Sequence, residues 1–119
     1  MPEKTFREAL NEAFFNEMRR DENVILLGED IAGGMGSGGK QDAWGGVLGA
    51  TSGLMTEFGR DRVFDTPISE SAFIGAAAGA AVTGLRPVAQ LMFVTFFGVA
   101  GDAIFNQMAK FRYMFGGEA

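Results

Sequence analysis

The chain has 119 residues, a formal net charge of −5 at pH 7, and neither cysteine nor histidine. This length is typical of one domain or part of one. An acidic chain without a basic stripe is a poor partner for nucleic acid. Without cysteine or histidine, the chain alone cannot build a disulfide framework, a thiol nucleophile or a Ser-His-Asp triad. The absence of cysteine fits a reducing compartment, and we expect a cytoplasmic protein.

The first 20 residues have the pattern of a charged amphipathic helix and no signal-peptide core. Thr5 and Glu8 form the capping box that opens many helices. Phe6, Leu10 and Met18 belong to one apolar face with three- and four-residue spacing. We therefore predict a helix over residues 5–20.

The apolar run 24–27 predicts a buried parallel strand, because such strands are covered on both faces. Glu29 and Asp30 follow it, at the strand end where ligands bind in open α/β sheets. A solvated acidic turn explains these two residues equally well, and on the residues alone it is the preferred interpretation.

Residues 33–46 are rich in glycine and predict a long loop. A phosphate-binding Walker loop would need Ser or Thr after the lysine. Lys40 is instead followed by Gln41, so that motif fails. Trp44 is a candidate anchor for a partner surface, and a local packing role is equally compatible with the pattern.

The remaining pattern predicts alternating elements, with helices over 47–58, 72–83 and 103–113 and strands over 62–65 and 86–93. The complete order argues for an α/β fold with a parallel sheet flanked by helices. The helix over 72–83 is apolar all round, which predicts burial. Ser69 or Thr66 is its expected cap, and Gly84 its expected end.

Two uncharged runs lie on either side of Arg86. Each is shorter than the roughly 20 residues that a membrane helix needs. We therefore predict buried core, and a membrane-associated hairpin is the alternative.

The stretch Asp65-Thr-Pro-Ile-Ser-Glu70 places one carboxylate between a short strand and an uncharged helix. Burying a carboxylate is costly unless another group pairs with it. Glu70 could simply be an acid that meets the positive end of a helix dipole, worth about 0.3–1 kcal/mol. The alternative is a functional carboxylate held in a cleft.

Several ordered motifs resemble the β subunit of thiamine-diphosphate-dependent 2-oxo acid dehydrogenases. They are Leu26-Leu-Gly-Glu29, Asp65-Thr-Pro-Ile-Ser-Glu70, Gly84-Leu-Arg-Pro87, Phe105-Asn-Gln107 and Lys110-Phe-Arg-Tyr-Met-Phe-Gly-Gly117. The resemblance extends from Thr5 to Gly117, and residues 41–46 and 111–117 are most similar to the acetoin dehydrogenase branch. It implies that residues 1–119 are the N-terminal part of a pyrimidine-binding domain of the transketolase-like fold, so that the parallel sheet is incomplete.

The resemblance also implies a site for the aminopyrimidine ring of thiamine diphosphate. Glu70 matches the catalytic glutamate that hydrogen-bonds a ring nitrogen and favours the imino tautomer. Phe96 matches an aromatic residue that packs against the ring. Ile68 and Met92 match nearby pocket positions, and Glu29 matches an acid that could join a proton-sharing path. Without the resemblance, Phe96 and Met92 would be interpreted as ordinary core residues.

The sequence departs from the family pattern at three places. Gln90 and Thr95 stand where the family often carries acids, and Asp102-Ala103 replaces Asp-Gln. The first two lie near the pocket or a subunit interface, so the departures bear on cofactor geometry.

The resemblance implies a heterotetramer with an α subunit that holds Mg²⁺ and the diphosphate, a β–β contact, and a lipoyl-bearing acyltransferase as a further partner. The expected reaction cleaves acetoin, or alternatively pyruvate or a branched-chain 2-oxo acid, and passes the acyl unit to the lipoyl carrier. The family's subunit continues beyond Ala119, so we expect the isolated chain to be inactive. The alternative function is a truncated interaction module that binds the α subunit without catalysis.

Overall fold

The computed structural model describes residues 3–33 and 45–118. Four α-helices and three strands lie in this part of the chain, with a 3₁₀ helix and a π-helix between β3 and α4. Their bounds are α1 Phe6–Arg20, β1 Val24–Gly28, α2 Leu54–Phe58, β2 Val63–Asp65, α3 Glu70–Val82, β3 Arg86–Gln90, 3₁₀ helix Val94–Gly98, π-helix Asp102–Met108 and α4 Phe111–Met114. Most of the predicted glycine-rich loop, with Trp44, lies outside the described residues.

The three strands form one parallel sheet in the order β2-β1-β3. This arrangement confirms the predicted α/β class. The central strand β1 is buried along its whole length, as its continuous apolar run predicted. Gly28 at the end of β1 pairs with Asp65 of β2 and with Gln90 of β3. The carboxyl ends of all three strands therefore meet at one edge of the sheet.

The start of α1 is fixed by the predicted capping box. The Thr5 hydroxyl accepts the Glu8 N–H at 3.3 Å, and the Glu8 carboxylate accepts the Thr5 N–H at 2.8 Å. At the other end of α1, the Arg62 guanidinium donates to backbone carbonyls at 2.8–3.1 Å. These carbonyls belong to Met18, Asp21 and Val24. Arg62 thereby joins the end of α1 and the start of β1 to the segment before β2.

The prediction of a helix over 47–58 is wrong for its first half. Residues 45–53 form turns, and α2 begins only at Leu54. Gly49 and Gly53 adopt φ values of 71° and 82°. This left-handed backbone interrupts a helix and is cheapest at glycine. Gly59 ends α2 as predicted.

The continuous helix predicted over 103–113 is also wrong, because the segment divides into a π-helix and the short α4. The Asp102 carboxylate accepts hydrogen bonds from Asn106 at 2.9 Å and Gln107 at 3.0 Å. The wider π-turn suits the second of these bonds, which joins residues five apart. Asp102 lies at the start of this helix, as predicted.

The predictions of complete burial for α3 and β3 hold only in part. On α3 the buried residues are Glu70, Phe73, Ile74, Ala77 and Ala78, while Ala72, Ala76 and Gly79 are exposed. The strand β3 is shorter than predicted and only partly buried, because it is an edge strand of the described sheet. Ser69 precedes α3, but its hydroxyl donates to the Pro67 carbonyl at 3.1 Å and makes no capping bond.

Two apolar clusters cover the faces of the sheet. One packs α1 and α2 against β1 and β2, and includes Met18, Leu26 and Leu54. The other packs α3 and the π-helix against the sheet and includes Leu27 and Phe73. Leu26 and Leu27 join different clusters because successive side chains of a strand point to opposite faces. Within residues 3–33 and 45–118, no helix has the length and apolar character that crossing a bilayer requires.

Candidate active site

Polar side chains gather where the three parallel strands end. Glu29 follows β1, Asp65 closes β2, and Gln90 closes β3. Glu70 opens α3, five residues after β2. In open α/β sheets this edge is where ligands bind, and here the register places the ends of β2 and β3 on either side of Gly28.

Glu70 is buried, with 9% of its surface exposed. As the first residue of α3 it lies at the positive end of the helix dipole, which stabilises a negative charge. The next residue, Ser71, donates its hydroxyl to the Val99 carbonyl at 2.6 Å. This bond attaches the first turn of α3 to the chain between the 3₁₀ helix and the π-helix. Glu70 is therefore a carboxylate withdrawn from bulk solvent on an anchored turn.

The Glu29 carboxyl shares this edge with Glu70. Burial, and then the negative charges of Glu70 and Asp30, raise the pKa of Glu29 above its ordinary value. Its Oε1 atom is buried and has no hydrogen-bond partner among the described residues. The negative charge of Glu70 therefore acts on the Glu29 carboxyl, and the two acids lie at the same edge of the sheet.

Sequence reasoning did not single out Asp65 and Thr66 as site residues. One oxygen of Asp65, Oδ1, accepts the Ala32 backbone N–H at 2.7 Å. Its other oxygen, Oδ2, and the Thr66 hydroxyl are buried without a hydrogen-bond partner in the described part of the chain. The available signal was the end of a strand neighbouring β1, because the ends of parallel strands converge.

The three apolar residues predicted for the site have different environments. Met92 is half-buried just beyond β3, and the Gln90 amide donates to its sulfur at 3.8 Å. Phe96 is half-buried in the 3₁₀ helix and packs edge-to-face on Phe93, with ring centroids 5.6 Å apart. Ile68 is 84% exposed and contributes little to the core of the described chain.

Two cavities help to locate the site. One of about 650 Å³ is apolar, and α3, β3 and the later helices line it without any of the five predicted site residues. Another of about 390 Å³ is lined by Asp30, Gly33, Gly46 and Val47, beside the turn that carries Glu29. Neither of these two cavities is lined by a predicted site residue, so the candidate active site rests on the acidic edge where Glu29 and Glu70 lie.

The sequence pattern of the family described as transketolase, pyrimidine binding domain, matches residues 3–116. The chain is 64% identical over 111 residues to the acetoin:2,6-dichlorophenolindophenol oxidoreductase subunit beta of Cupriavidus necator. That match covers 93% of this chain and 32% of the relative. The subunit of the same name in Bacillus subtilis is 61% identical over 114 residues, which cover 94% of this chain and 33% of the relative.

A more distant relative is the pyruvate dehydrogenase E1 component subunit beta of Bacillus subtilis. It is 41% identical over 117 residues, which cover 98% of this chain and 33% of that subunit. The chain therefore spans about a third of the length of the curated relatives that it matches.

Proposed function

Because the chain belongs to the transketolase family of pyrimidine-binding domains, we propose that it is the β-subunit portion of a thiamine-diphosphate-dependent dehydrogenase component. In this proposal, residues 1–119 form the N-terminal part of the pyrimidine-binding domain. The names of the relatives, acetoin oxidoreductase and pyruvate dehydrogenase subunits beta, support this class of reaction.

The observation that carries the proposal is the burial of Glu70 at the carboxyl edge of the sheet. None of the ion pairs between described residues involves Glu70. A buried carboxylate calls for a hydrogen-bond donor, and a protonated ring nitrogen is one. Glu29 contributes a second acid, with a buried oxygen that has no hydrogen-bond partner in residues 3–33 and 45–118. Half-buried Met92 and Phe96 lie on the chain that follows β3 and offer apolar surface to a flat ring. These residues fit an aminopyrimidine.

Glu70 would hold the ring nitrogen, and Met92 and Phe96 would orient the ring, with Ile68 at the exposed margin. When bound, thiamine diphosphate supplies the carbanion chemistry that the side chains of this chain cannot perform. Glu70 accepts and returns a proton at its carboxylate, as a general acid–base group does. Burial, and then the charges of Glu70 and Asp30, raise the pKa of Glu29, so protonating its carboxyl beside Glu70 costs less than for an ordinary glutamate.

We propose acetoin as the substrate, because two relatives with more than 60% identity carry acetoin in their names. Pyruvate is the second candidate, supported by the relative at 41% identity. An α subunit would hold Mg²⁺ and the diphosphate, and a lipoyl-bearing acyltransferase would receive the acyl unit. A contact between two β subunits would complete the heterotetramer.

The test is co-expression of an acetoin dehydrogenase α subunit with a β subunit whose N-terminal part is this chain. Dye reduction by 2,6-dichlorophenolindophenol is then measured with acetoin or pyruvate, with and without thiamine diphosphate. We expect cofactor-dependent turnover that Glu70→Gln lowers by about 10²-fold or more, the usual range for a lost acid–base group. Glu22→Gln makes the same chemical change at an exposed position and should leave turnover unchanged.

The rival function is an interaction module that binds the α subunit without catalysis. Stable association with the α subunit and no turnover under any of these conditions would support the rival. Equal turnover of Glu70→Gln and the unsubstituted chain would refute the assigned role of Glu70. A preference for pyruvate would correct the substrate alone.

A further inference from the structure

The turn that carries Glu29 is tightly bent, and it passes from the partly buried Glu29 and the exposed Asp30 to a buried second half. Asp30 has φ = 51°, and among the described residues it is the one non-glycine with positive φ. Ile31 and Ala32, the next two residues, are 0% exposed. A strained conformation of this kind persists only where the surrounding structure determines it. Buried backbone N–H and C=O groups also need hydrogen-bond partners.

Two side chains from distant parts of the sequence supply these partners. The Asp65 carboxylate accepts the Ala32 N–H at 2.7 Å from the end of β2. The Thr51 hydroxyl donates to the Ile31 carbonyl at 2.7 Å from the turn before α2. Thr51 is 1% exposed, so no water can replace its hydroxyl without a rearrangement. The turn is therefore held on both sides of the Ile31–Ala32 peptide.

We propose that Asp65 and Thr51 are positioning residues that fix the Glu29 turn and so hold the Glu29 carboxyl beside Glu70. Neither residue needs to touch a ligand for this role, because each acts through the backbone of residues 31 and 32. Within residues 3–33 and 45–118, the charged groups that act on Glu29 are Glu70 from α3 and Asp30 from its own turn, and Asp65 lies at the neighbouring strand end. The inference rests on the proposed function, because Glu29 matters for catalysis only if this edge binds the cofactor.

The test follows the Glu29 carboxyl by NMR in the full chain labelled with ¹³C-glutamate, and Glu29→Gln assigns its signal. Asp65→Ala removes the acceptor of the Ala32 N–H. We expect the Glu29 titration to move down toward the ordinary pKa of a glutamate, because the freed turn lets its carboxyl reach water. Hydrogen exchange of the Ala32 amide should accelerate about tenfold or more, since a bond to a charged acceptor is lost.

Asp65→Asn separates positioning from charge. It keeps an oxygen that can accept the Ala32 N–H and removes the negative charge, so we expect it to restore the raised Glu29 titration and the slow exchange. If Asp65→Asn lowered the Glu29 titration as much as Asp65→Ala does, charge rather than position would be responsible and the proposal would be wrong. An unchanged titration in Asp65→Ala would also overturn it.

Thr51 provides a second, independent pair of variants should Asp65→Ala fail to fold. Thr51→Val keeps the shape and loses the hydroxyl, whereas Thr51→Ser keeps the hydroxyl. We expect the Glu29 titration to fall in Thr51→Val and to stay raised in Thr51→Ser. Equal titrations in these two variants would contradict the role of Thr51.

The readouts need neither cofactor nor α subunit, so the two proposals fail separately. The proposed function alone would be refuted if the Glu29 titration responded to the variants as expected but the chain, combined with an α subunit, never bound thiamine diphosphate. Cofactor binding that depends on Glu70 but not on Asp65 or Thr51 would refute the positioning role alone.

Discussion

At the scale of single residues, the charge state of Glu29 depends on its burial and on two acidic neighbours. These three causes raise the pKa of its carboxyl, so the folded chain holds this proton more tightly than the unfolded chain does. The protonated Glu29 carboxyl therefore contributes to the stability of the fold at acidic pH. This contribution is lost as the pH rises from the ordinary value of 4.5 through the folded-state pKa.

Other acids contribute with the opposite sign. A backbone hydrogen bond from Asn23, followed by weaker contributions that include Arg86, lowers the pKa of Asp21. The hydrogen bond and charge of Arg19 lower the pKa of Glu57. Their contributions are present above the ordinary carboxyl pKa and disappear as the pH falls through the lowered folded values. The pH dependence of stability is expected to be the sum of both kinds of contribution.

The substitution Glu29→Gln isolates the contribution of the acid with the raised pKa. The substitution changes the free energy of unfolding by an amount that we expect to be more favourable at pH 7 than at pH 4, because glutamine cannot ionise. Urea unfolding at the two pH values measures the difference, and exposed Glu22→Gln serves as the control. A relative stability that falls from pH 4 to pH 7 would show that Glu29 is stabilised as an anion.

At the scale of elements, two glycines illustrate opposite demands on the backbone. A Cβ atom added to Gly28, at the end of β1, would lie 2.9 Å from the Gln90 carbonyl oxygen and 3.1 Å from the Gln90 Cβ. A Cβ atom added to Gly79, inside α3, would meet no atom within 4 Å. Gly28 is therefore required because β3 approaches it closely, whereas Gly79 only weakens the helix α3.

Alanine substitutions at these positions should therefore have opposite effects on stability. Gly79→Ala should raise the free energy of unfolding by about 0.5–1 kcal/mol, the usual cost of glycine in a helix. Gly28→Ala should lower it by about 1–3 kcal/mol, because β3 must move. Urea unfolding of the chain alone checks both values, and a destabilised Gly79→Ala would reveal a neighbour over that face of α3.

Local signals predicted the elements that they fully determine. The Thr5–Glu8 capping box and the apolar spacing gave α1, and the run 24–27 gave β1. These signals failed where the conformation of glycine sets the start of a helix, and where the type of helix had to be distinguished. Apolar spacing over 47–58 could not reveal the positive φ of Gly49 and Gly53, and spacing over 103–113 could not distinguish a π-helix from an α-helix.

The candidate site shows the same division. Glu70 and Glu29 were predicted as site residues through ordered motifs, and both follow strands whose ends meet at one edge of the sheet. The bonds from Asp65 to Ala32 and from Thr51 to Ile31 join residues 33 and 20 positions apart. No periodicity encodes such pairs, because they depend on how the strand ends and turns meet in three dimensions.

At the scale of the whole molecule, the two layers that cover the sheet are unequally closed. The layer of α1 and α2 includes residues with at most 1% exposure, such as Met18, Leu26 and Leu54. The layer of α3 and the π-helix includes residues that retain slightly more exposure, such as Leu27 and Phe73, and it borders the apolar cavity of about 650 Å³. The first layer should therefore contribute more stability per buried side chain.

Leu26 and Leu27 test this asymmetry. They are the same residue type, lie next to each other in β1, and face opposite layers. Leu26→Ala should cost about 4 kcal/mol and Leu27→Ala about 2–3 kcal/mol, since a side chain in a tightly enclosed layer leaves the larger unrelaxed cavity. Urea unfolding gives both values, and native-state hydrogen exchange should show faster opening in α3 than in α1. Equal costs, or a larger cost at Leu27, would place the more stabilising layer on the α3 side.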